Sequence, residues 1–221
     1  MPNISVCKIS APVTLATIQS FATLRLRSLQ VNPEAFGSNY AREVAFTEEQ
    51  WRERIEPNSD KATFIATATH MNLPEHSQDV ATVTDEEQWI GSVSILGPDY
   101  LTKIPFTLPA AFEERDELWY MLVGTWVEPQ FRGMGIGKRL MREALQWATG
   151  SRGASPPNEV QKKCVLLRVH AQNTAAQMLY RASGFERFED PEDESAPSDE
   201  IWMGYRVQNG DNSSAINDAQ E

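Results

Sequence analysis

Long apolar runs are missing from this 221-residue chain. Its most hydrophobic stretches, such as CVLLRV from Cys164 to Val169, have the length of a buried strand and fall far short of the roughly 20 residues a membrane helix needs. The opening MPNISVCKIS lacks the charged-then-apolar layout of a secretory signal, so the expectation is an intracellular protein, cytoplasmic or nuclear, with no membrane partner. Cysteine is scarce as well. Cys7 and Cys164 are too few for a disulfide framework, and both lie in apolar alternating runs where small buried thiols are common. Positive charge is outnumbered, with 20 Lys and Arg against 31 Asp and Glu and a net charge of -11, which argues against a protein that wraps nucleic acid through phosphate contacts. No internal repeat and no break in composition marks a second domain.

The acidity is local. From Glu186 to Glu221 there are eleven acidic and two basic residues, so the rest of the chain is nearly neutral. The segments responsible, EDPEDESAPSDE and the tail QNGDNSSAINDAQE, read as solvated and partly disordered polypeptide, with an electrostatic collar for a cationic acceptor as the alternative. Hydrophobic content of 41% and charged content of 23% are those of an ordinary globular protein, and the length suits one well-buried core.

Periodicity supplies the elements. ISVCKIS alternates as an opening strand, and Leu15, Ile18, Phe21, Arg25 and Leu29 then recur at helical spacing. VNPEAFGSNY is turn-rich, and Thr47 offers an N-cap for a short helix over FTEEQWRERI. KATFIATAT and QWIGSVSIL read as the arms of a long hairpin, and LWYMLVGTWV, from Leu118 to Val127, is the most strand-like run. Leu140, Met141, Ala144, Leu145 and Ala148 mark one face of a helix ending near Gly150. CVLLRV is a strand, NTAAQMLYRAS a helix capped by Asn173 and closed by Gly184, and IWMGYRV a last strand. The class is α/β (α+β).

One stretch concentrates glycine and positive charge. FRGMGIGKRL, Phe131 to Leu140, follows the strongest strand and runs into a helix, so it presents free backbone N–H groups at the positive end of that helix. Anions bind at such ends, and glycine lets the amides converge without a Cβ in the way. Lys138, Arg139 and Arg142 add charge nearby, which points to a phosphate-bearing ligand; a tight turn with an exposed basic helix face is the plainer alternative. A Walker-A loop fails because Arg139 follows Lys138 where Ser or Thr is needed, and the dinucleotide pattern fails because it needs glycine at Lys138.

VEPQFRGMGIGKRLM together with LRVHAQNTAAQMLYRASGF resembles the GNAT superfamily of acetyl-CoA-dependent N-acetyltransferases. The run Arg132, Gly133, Met134, Gly135, Ile136, Gly137 fits its glycine signature, and Asn173 to Phe185 fits its second signature. The resemblance covers residues 5–207 and leaves 208–221 as a polar tail. It implies a single GNAT-like domain with a mixed, mostly antiparallel central sheet of about six or seven strands flanked by about four helices. It also implies that the diphosphate of acetyl-CoA rests on the amides of Met134 to Lys138 with Arg132 at the entrance. The pantetheine arm would pair with the strand near Val127, where a main-chain N–H can hold the oxyanion. Asn173 would touch the coenzyme as well as capping its helix, and no metal is needed.

Tyr180 stands at the family's tyrosine position and is the expected proton donor to the departing thiolate, a core tyrosine being the alternative. The glutamate that several relatives carry on the strand before the loop falls on Met121 here, which cannot take a proton. Glu117, Glu128 and His170 flank the expected cleft, although Glu128 also suits a solvated turn and His170 a strand end; water or a neutral amine would make a base unnecessary. Trp119, Tyr120 and Trp126 would line an acceptor groove or face a core. The long segments 71–87 and 97–116 are where acceptor choice would be set. The resulting expectation is a monomeric or homodimeric acetyltransferase acting on an amine of unknown identity, with a catalytically weak acyl-CoA-binding regulatory module as the rival.

Overall fold

The computed structural model describes residues 2–70, 86–104, 117–150, 162–188 and 199–207. The expected segments 71–87 and 97–116 lie largely outside these residues, as do most of the acidic loop and the tail 208–221. Among the described residues seven strands form one sheet: β1 (Asn3–Lys8), β2 (Lys61–His70), β3 (Glu86–Leu96), β4 (Glu117–Val127), β5 (Lys162–His170), β6 (Glu186–Phe188) and β7 (Glu200–Arg206). Their order across the sheet is β1-β2-β3-β4-β5-β7-β6, and every pair is antiparallel except β4 with β5. The helices are α1 (Leu15–Val31), α2 (Tyr40–Glu43), α3 (Glu48–Ile55), α4 (Pro98–Leu101), α5 (Ile136–Gly150) and α6 (Thr174–Arg181). Two of these, α2 and α4, are single turns with no legible periodicity, and β6 is a three-residue strand just before the acidic loop.

Local chemistry explains the element ends. Thr47 caps α3 through a capping box with Gln50, which satisfies two otherwise orphaned N–H groups at once. Asn173 Oδ1 accepts from Ala176 N at 3.1 Å to start α6, and Gly184, at φ +88°, follows it in the left-handed region open to glycine.

The sheet is covered on both faces. On one, Leu140, Met141 and Ala144 of α5 pack on Phe64, Ile90, Val93, Tyr120 and Val165. On the other, Ile18, Phe21 and Leu24 of α1 and Trp51 and Ile55 of α3 pack on Ile65 and Trp126. Trp119 belongs to a third cluster with Leu101, Met121, Cys164 and Trp202. Trp119, Tyr120 and Trp126 are thus all buried, each in a different cluster, and it is their core role that the structure displays. Cys164 is buried, but Cys7, on edge strand β1, is exposed.

An inward arginine on α1 is balanced by a long-range partner. Arg25 makes two 2.9 Å hydrogen bonds to Glu43, which is fully buried, and its guanidinium lies 4.3 Å from the centre of the Phe36 ring. Arg54 stands 3.5 Å from the same carboxylate. Burial alone would raise the Glu43 pKa, but the two arginines outweigh it and hold the group below the ordinary carboxylate range.

Candidate active site

The parallel strands β4 and β5 pair only from Glu117 with Lys162 to Met121 with Leu166. Past that point a bulge interrupts β4: Ser94 opposes Val123 and Ser92 opposes Trp126, so β4 carries one more residue than β3. Gly124 supplies the turn at φ +66°. The extra residue inverts the alternation. Tyr120 and Leu122 face α5, whereas Trp126, also even-numbered, faces α1.

The bulge leaves the last residues of β4 with one open edge. Glu128 N donates to Ile90 O at 2.8 Å, so by antiparallel alternation the N–H and C=O of Val127, which opposes Gly91, face away from β3. The carbonyl is taken, since Arg132 Nε donates to Val127 O at 2.9 Å. Val127 N–H points to the side from which β5 has departed.

Directly beyond lies the glycine loop. Gly133 and Gly135 adopt φ +79° and +76°, and among the described residues a Cβ at either would meet nothing within 4 Å, so the described residues leave the space above the loop open. The first intrahelical bond of α5 runs from Arg139 N to Gly135 O, which leaves the N–H groups of Ile136, Gly137 and Lys138 without partners inside the helix. Gly137 has a different reason to be glycine. A Cβ there would lie 2.9 Å from Leu179 Cδ2, so it permits the close approach of α6. The Ile136 side chain is buried in the core, Met134 is 44% exposed, and Lys138 is exposed on the first turn.

Two of the expected basic groups are directed elsewhere. Arg139 Nη1 donates to Ile4 O of β1 at 3.1 Å, and Arg142, nearly two turns into α5, pairs with Glu143 at 3.2 Å. Arg132 keeps its place at the loop entrance, but its Nε and Nη2 are engaged by Val127 O and by Asn32 Oδ1, the latter at 2.6 Å. Among the described residues its Nη1 has no hydrogen bond. This geometry fits a diphosphate: an open cradle, three helix-end amides, Lys138 and one free guanidinium nitrogen.

Tyr180 projects from α6 into the cluster between α5 and the sheet, 6.1 Å from the Phe185 ring centre and 7% exposed. Burial pushes its phenol pKa up, partly offset by the nearby Thr125 hydroxyl on the bulge. Thr125 Oγ1 itself is buried and, among the described residues, has no formed hydrogen bond. A neutral phenol therefore sits beside the part of β4 that parts from β5.

The three expected bases fare differently. Glu117 opens β4, about 33 Å of strand from Val127, at the opposite end from the loop. Glu128 is buried, not solvated: Arg27 of α1 grips both its oxygens at 2.5 to 2.8 Å. His170 ends β5 on the open side, with Nδ1 3.4 Å from Asp199 and Nε2 3.8 Å from Glu200. Met121 is buried in the cluster with Trp119. Among the described residues no group of three or more His, Cys, Asp or Glu is placed to hold a metal ion, and no helix is long and apolar enough to cross a membrane.

A family profile described as acetyltransferase (GNAT) domain matches residues 77–187, half of the chain. The chain belongs to the GNAT acetyltransferase family. The N-alpha-acetyltransferase RimI of Mycobacterium tuberculosis is 41% identical over 61 residues, 28% of this chain. That match spans only 31% of RimI. A GNAT-family acetyltransferase from Streptococcus pneumoniae shares the fold with a TM-score of 0.59 at 16% identity, covering 93% of this chain and 100% of that one. Arabidopsis thaliana NAA60, solved in complex with acetyl-CoA, shares it at 0.52 and 16% identity over 93% of this chain and 99% of its own. These likenesses extend over the GNAT fold well beyond the profile match. Three features that bear on the site escaped the motif reading: the bulge at Gly124, Thr125 and Asn32. A glycine inside an otherwise β-branched and aromatic strand was the available signal for the first.

Proposed function

We propose that this GNAT protein moves an acetyl group from acetyl-CoA to a primary amine of a small molecule or of a protein or peptide, by direct attack in a ternary complex. The reading rests above all on one observation: β4 and β5 pair no further than Met121, and beyond the bulge the open edge of β4 presents Val127 N–H shortly before the glycine loop. The catalytic unit spans residues 5–207, works as a monomer or homodimer inside the cell, and uses neither a metal nor nucleic acid.

Each residue has a part. The amides from Met134 to Lys138, the Lys138 side chain and Arg132 Nη1 would hold the diphosphate. Asn173 Oδ1 is engaged in capping, so any contact with the coenzyme falls to its Nδ2. When bound, acetyl-CoA supplies an acyl carbon already activated as a thioester. Val127 N–H would hold the acyl oxygen as negative charge develops on it, the kind of preorganised donor whose loss costs about 3 to 4 kcal/mol in comparable sites. Tyr180, kept neutral by burial, would deliver a proton to the departing sulfur. No covalent enzyme intermediate is involved, and holding the amine beside the acyl carbon supplies much of the acceleration. With Glu128 locked to Arg27 and Met121 in the glutamate position, the attacking amine arrives neutral or loses its proton through water, with His170 the titratable group at the correct end of the sheet.

Met121 also favours a second reading, in which the pocket binds the coenzyme without turnover. An amine panel of polyamines, aminoglycosides and peptides with free α-amines or lysines, with thiol release followed by a thiol reagent, separates the two. Release with at least one class is expected. Coenzyme binding with no release for any amine would leave the regulatory module, and absence of binding would overturn both readings.

A further inference from the structure

Asn32 ends α1 as its C-cap, with φ −135° and ψ 61°. At negative φ the backbone does not require asparagine. Its side chain is nevertheless engaged through both Oδ1 and Nδ2. Oδ1 accepts from Trp126 Nε1 at 3.2 Å and from Arg132 Nη2 at 2.6 Å, while Nδ2 donates to Glu34 Oε1 at 3.2 Å. Indole and guanidinium groups only donate and a carboxylate only accepts, so chemistry alone fixes which way the amide points.

What Asn32 holds is a single peptide. The Val127 N–H belongs to the peptide joining Trp126 to Val127. On one side of it Asn32 anchors the Trp126 side chain directly. On the other, Asn32 orients Arg132, whose Nε bonds Val127 O at 2.9 Å. One side-chain oxygen on α1 thus braces both flanks of the amide on the open edge of β4, and ties it to the entrance of the glycine loop. The neighbouring Glu128 has an independent anchor in Arg27, so the strand end stays attached to α1 when Asn32 is changed.

We infer that Asn32 is a positioning residue for acyl transfer, whose carbonyl oxygen, shared by Trp126 and Arg132, sets the aim of the Val127 N–H. The inference rests on the proposed role of that N–H and adds a residue outside both sequence signatures. It also gives Arg132 a second duty: Nε and Nη2 are engaged in this brace, and Nη1 is left for the diphosphate.

The test uses the full chain and three variants. Asn32→Leu keeps roughly the volume and loses both acceptors; Asn32→Asp keeps an acceptor for Trp126 and Arg132; Arg132→Lys keeps the charge near the loop but loses the fork. The readouts are kcat and KM for acetyl-CoA with the best amine of the panel, and the amide resonance of Val127 on adding acetyl-CoA or CoA. Asn32→Leu should lower kcat about ten- to a hundredfold, with KM for acetyl-CoA within about threefold of the parent. Asn32→Asp should stay within about threefold of the parent in kcat. Acetyl-CoA should move the Val127 amide more than CoA does in the parent and in Asn32→Asp, and no more than CoA does in Asn32→Leu and Arg132→Lys. Should Asn32→Leu fail to fold, Asn32→Ala against Asn32→Asp carries the same comparison. An unchanged kcat and Val127 response in the Leu variant, or equal losses in Leu and Asp, would overturn the role of Asn32. A parent whose Val127 amide ignores acetyl-CoA while still binding it would overturn the acyl-oxygen role of Val127, and this inference with it.

Discussion

Replacing Gly135 by Asp and, in parallel, by Asn separates the charge of the glycine loop from its shape. Gly135 sits at φ +76°, and a Cβ there meets open space, so neither variant clashes. Asn and Asp tolerate this region better than other L residues, and the backbone cost is about 1 to 2 kcal/mol, to first order the same for both. For a domain of this size that lowers Tm by about 2 to 8 °C without ligand. The two side chains differ in charge. At about 5 Å, two unit charges repel by about 1 kcal/mol in water-like surroundings and about 3 near a protein surface. Asp should therefore bind acetyl-CoA roughly five- to 150-fold more weakly than Asn. At about 100 times the parent Kd, the ligand stabilises the parent by about 2.7 kcal/mol, and the Asp variant should lose from roughly a third to nearly all of such a gain. Thermal melts with and without acetyl-CoA, backed by calorimetric titration, read this directly. Equal stabilisation of the Asp and Asn variants would refute the claim that a phosphate lies over residue 135.

Other outcomes follow from the same geometry. Tyr180→Phe should lower kcat about a hundredfold with little change in KM for acetyl-CoA, and an unchanged kcat would leave Tyr180 a core residue. Because burial raises the Tyr180 pKa above its ordinary 10.0, its neutral form contributes stability below pH 10 that fades as pH rises through the folded value. Melting curves at alkaline pH should therefore fall less steeply for Tyr180→Phe than for the parent. Glu128→Gln should lower Tm yet leave the shape of the pH–rate profile unchanged, since Arg27 already occupies that carboxylate; loss of the acidic limb would identify Glu128 as the base. Glu43→Ala leaves Arg25 and Arg54 facing each other and should cost about 3 to 5 kcal/mol in denaturant titration. The Glu43 pKa is depressed, so in the parent this contribution is present above about pH 4.5 and lost as pH falls through the folded value.

Local pattern made most of this molecule legible. The stripe along α1, the alternation in β2 and β3, the cap at Asn173 and the glycine loop before α5 are written in spacings of two to four residues. The contacts that shape the site are not. Glu128 looked solvated because its partner Arg27 is 101 residues away, and Arg139 looked available to a phosphate because Ile4 lies 135 residues upstream. The bulge was hidden for another reason: one added residue in a strand leaves composition unchanged while inverting which side chains face each helix layer. Arg25 showed its inward position by helical spacing, but its counter-charge sits on α2, a single turn with no period to read. Gly137 carries a second constraint that its motif does not show: beside the helix-end amide, the absence of a Cβ makes room for Leu179 of α6.

The most direct measurement is a crystal structure of the full chain grown with acetyl-CoA. The account predicts diphosphate oxygens within hydrogen-bond distance of the amides of Ile136, Gly137 and Lys138, and the acetyl oxygen on Val127 N–H in the gap between β4 and β5. A bound coenzyme lying elsewhere, or seated with its acetyl oxygen turned away from Val127, would contradict it.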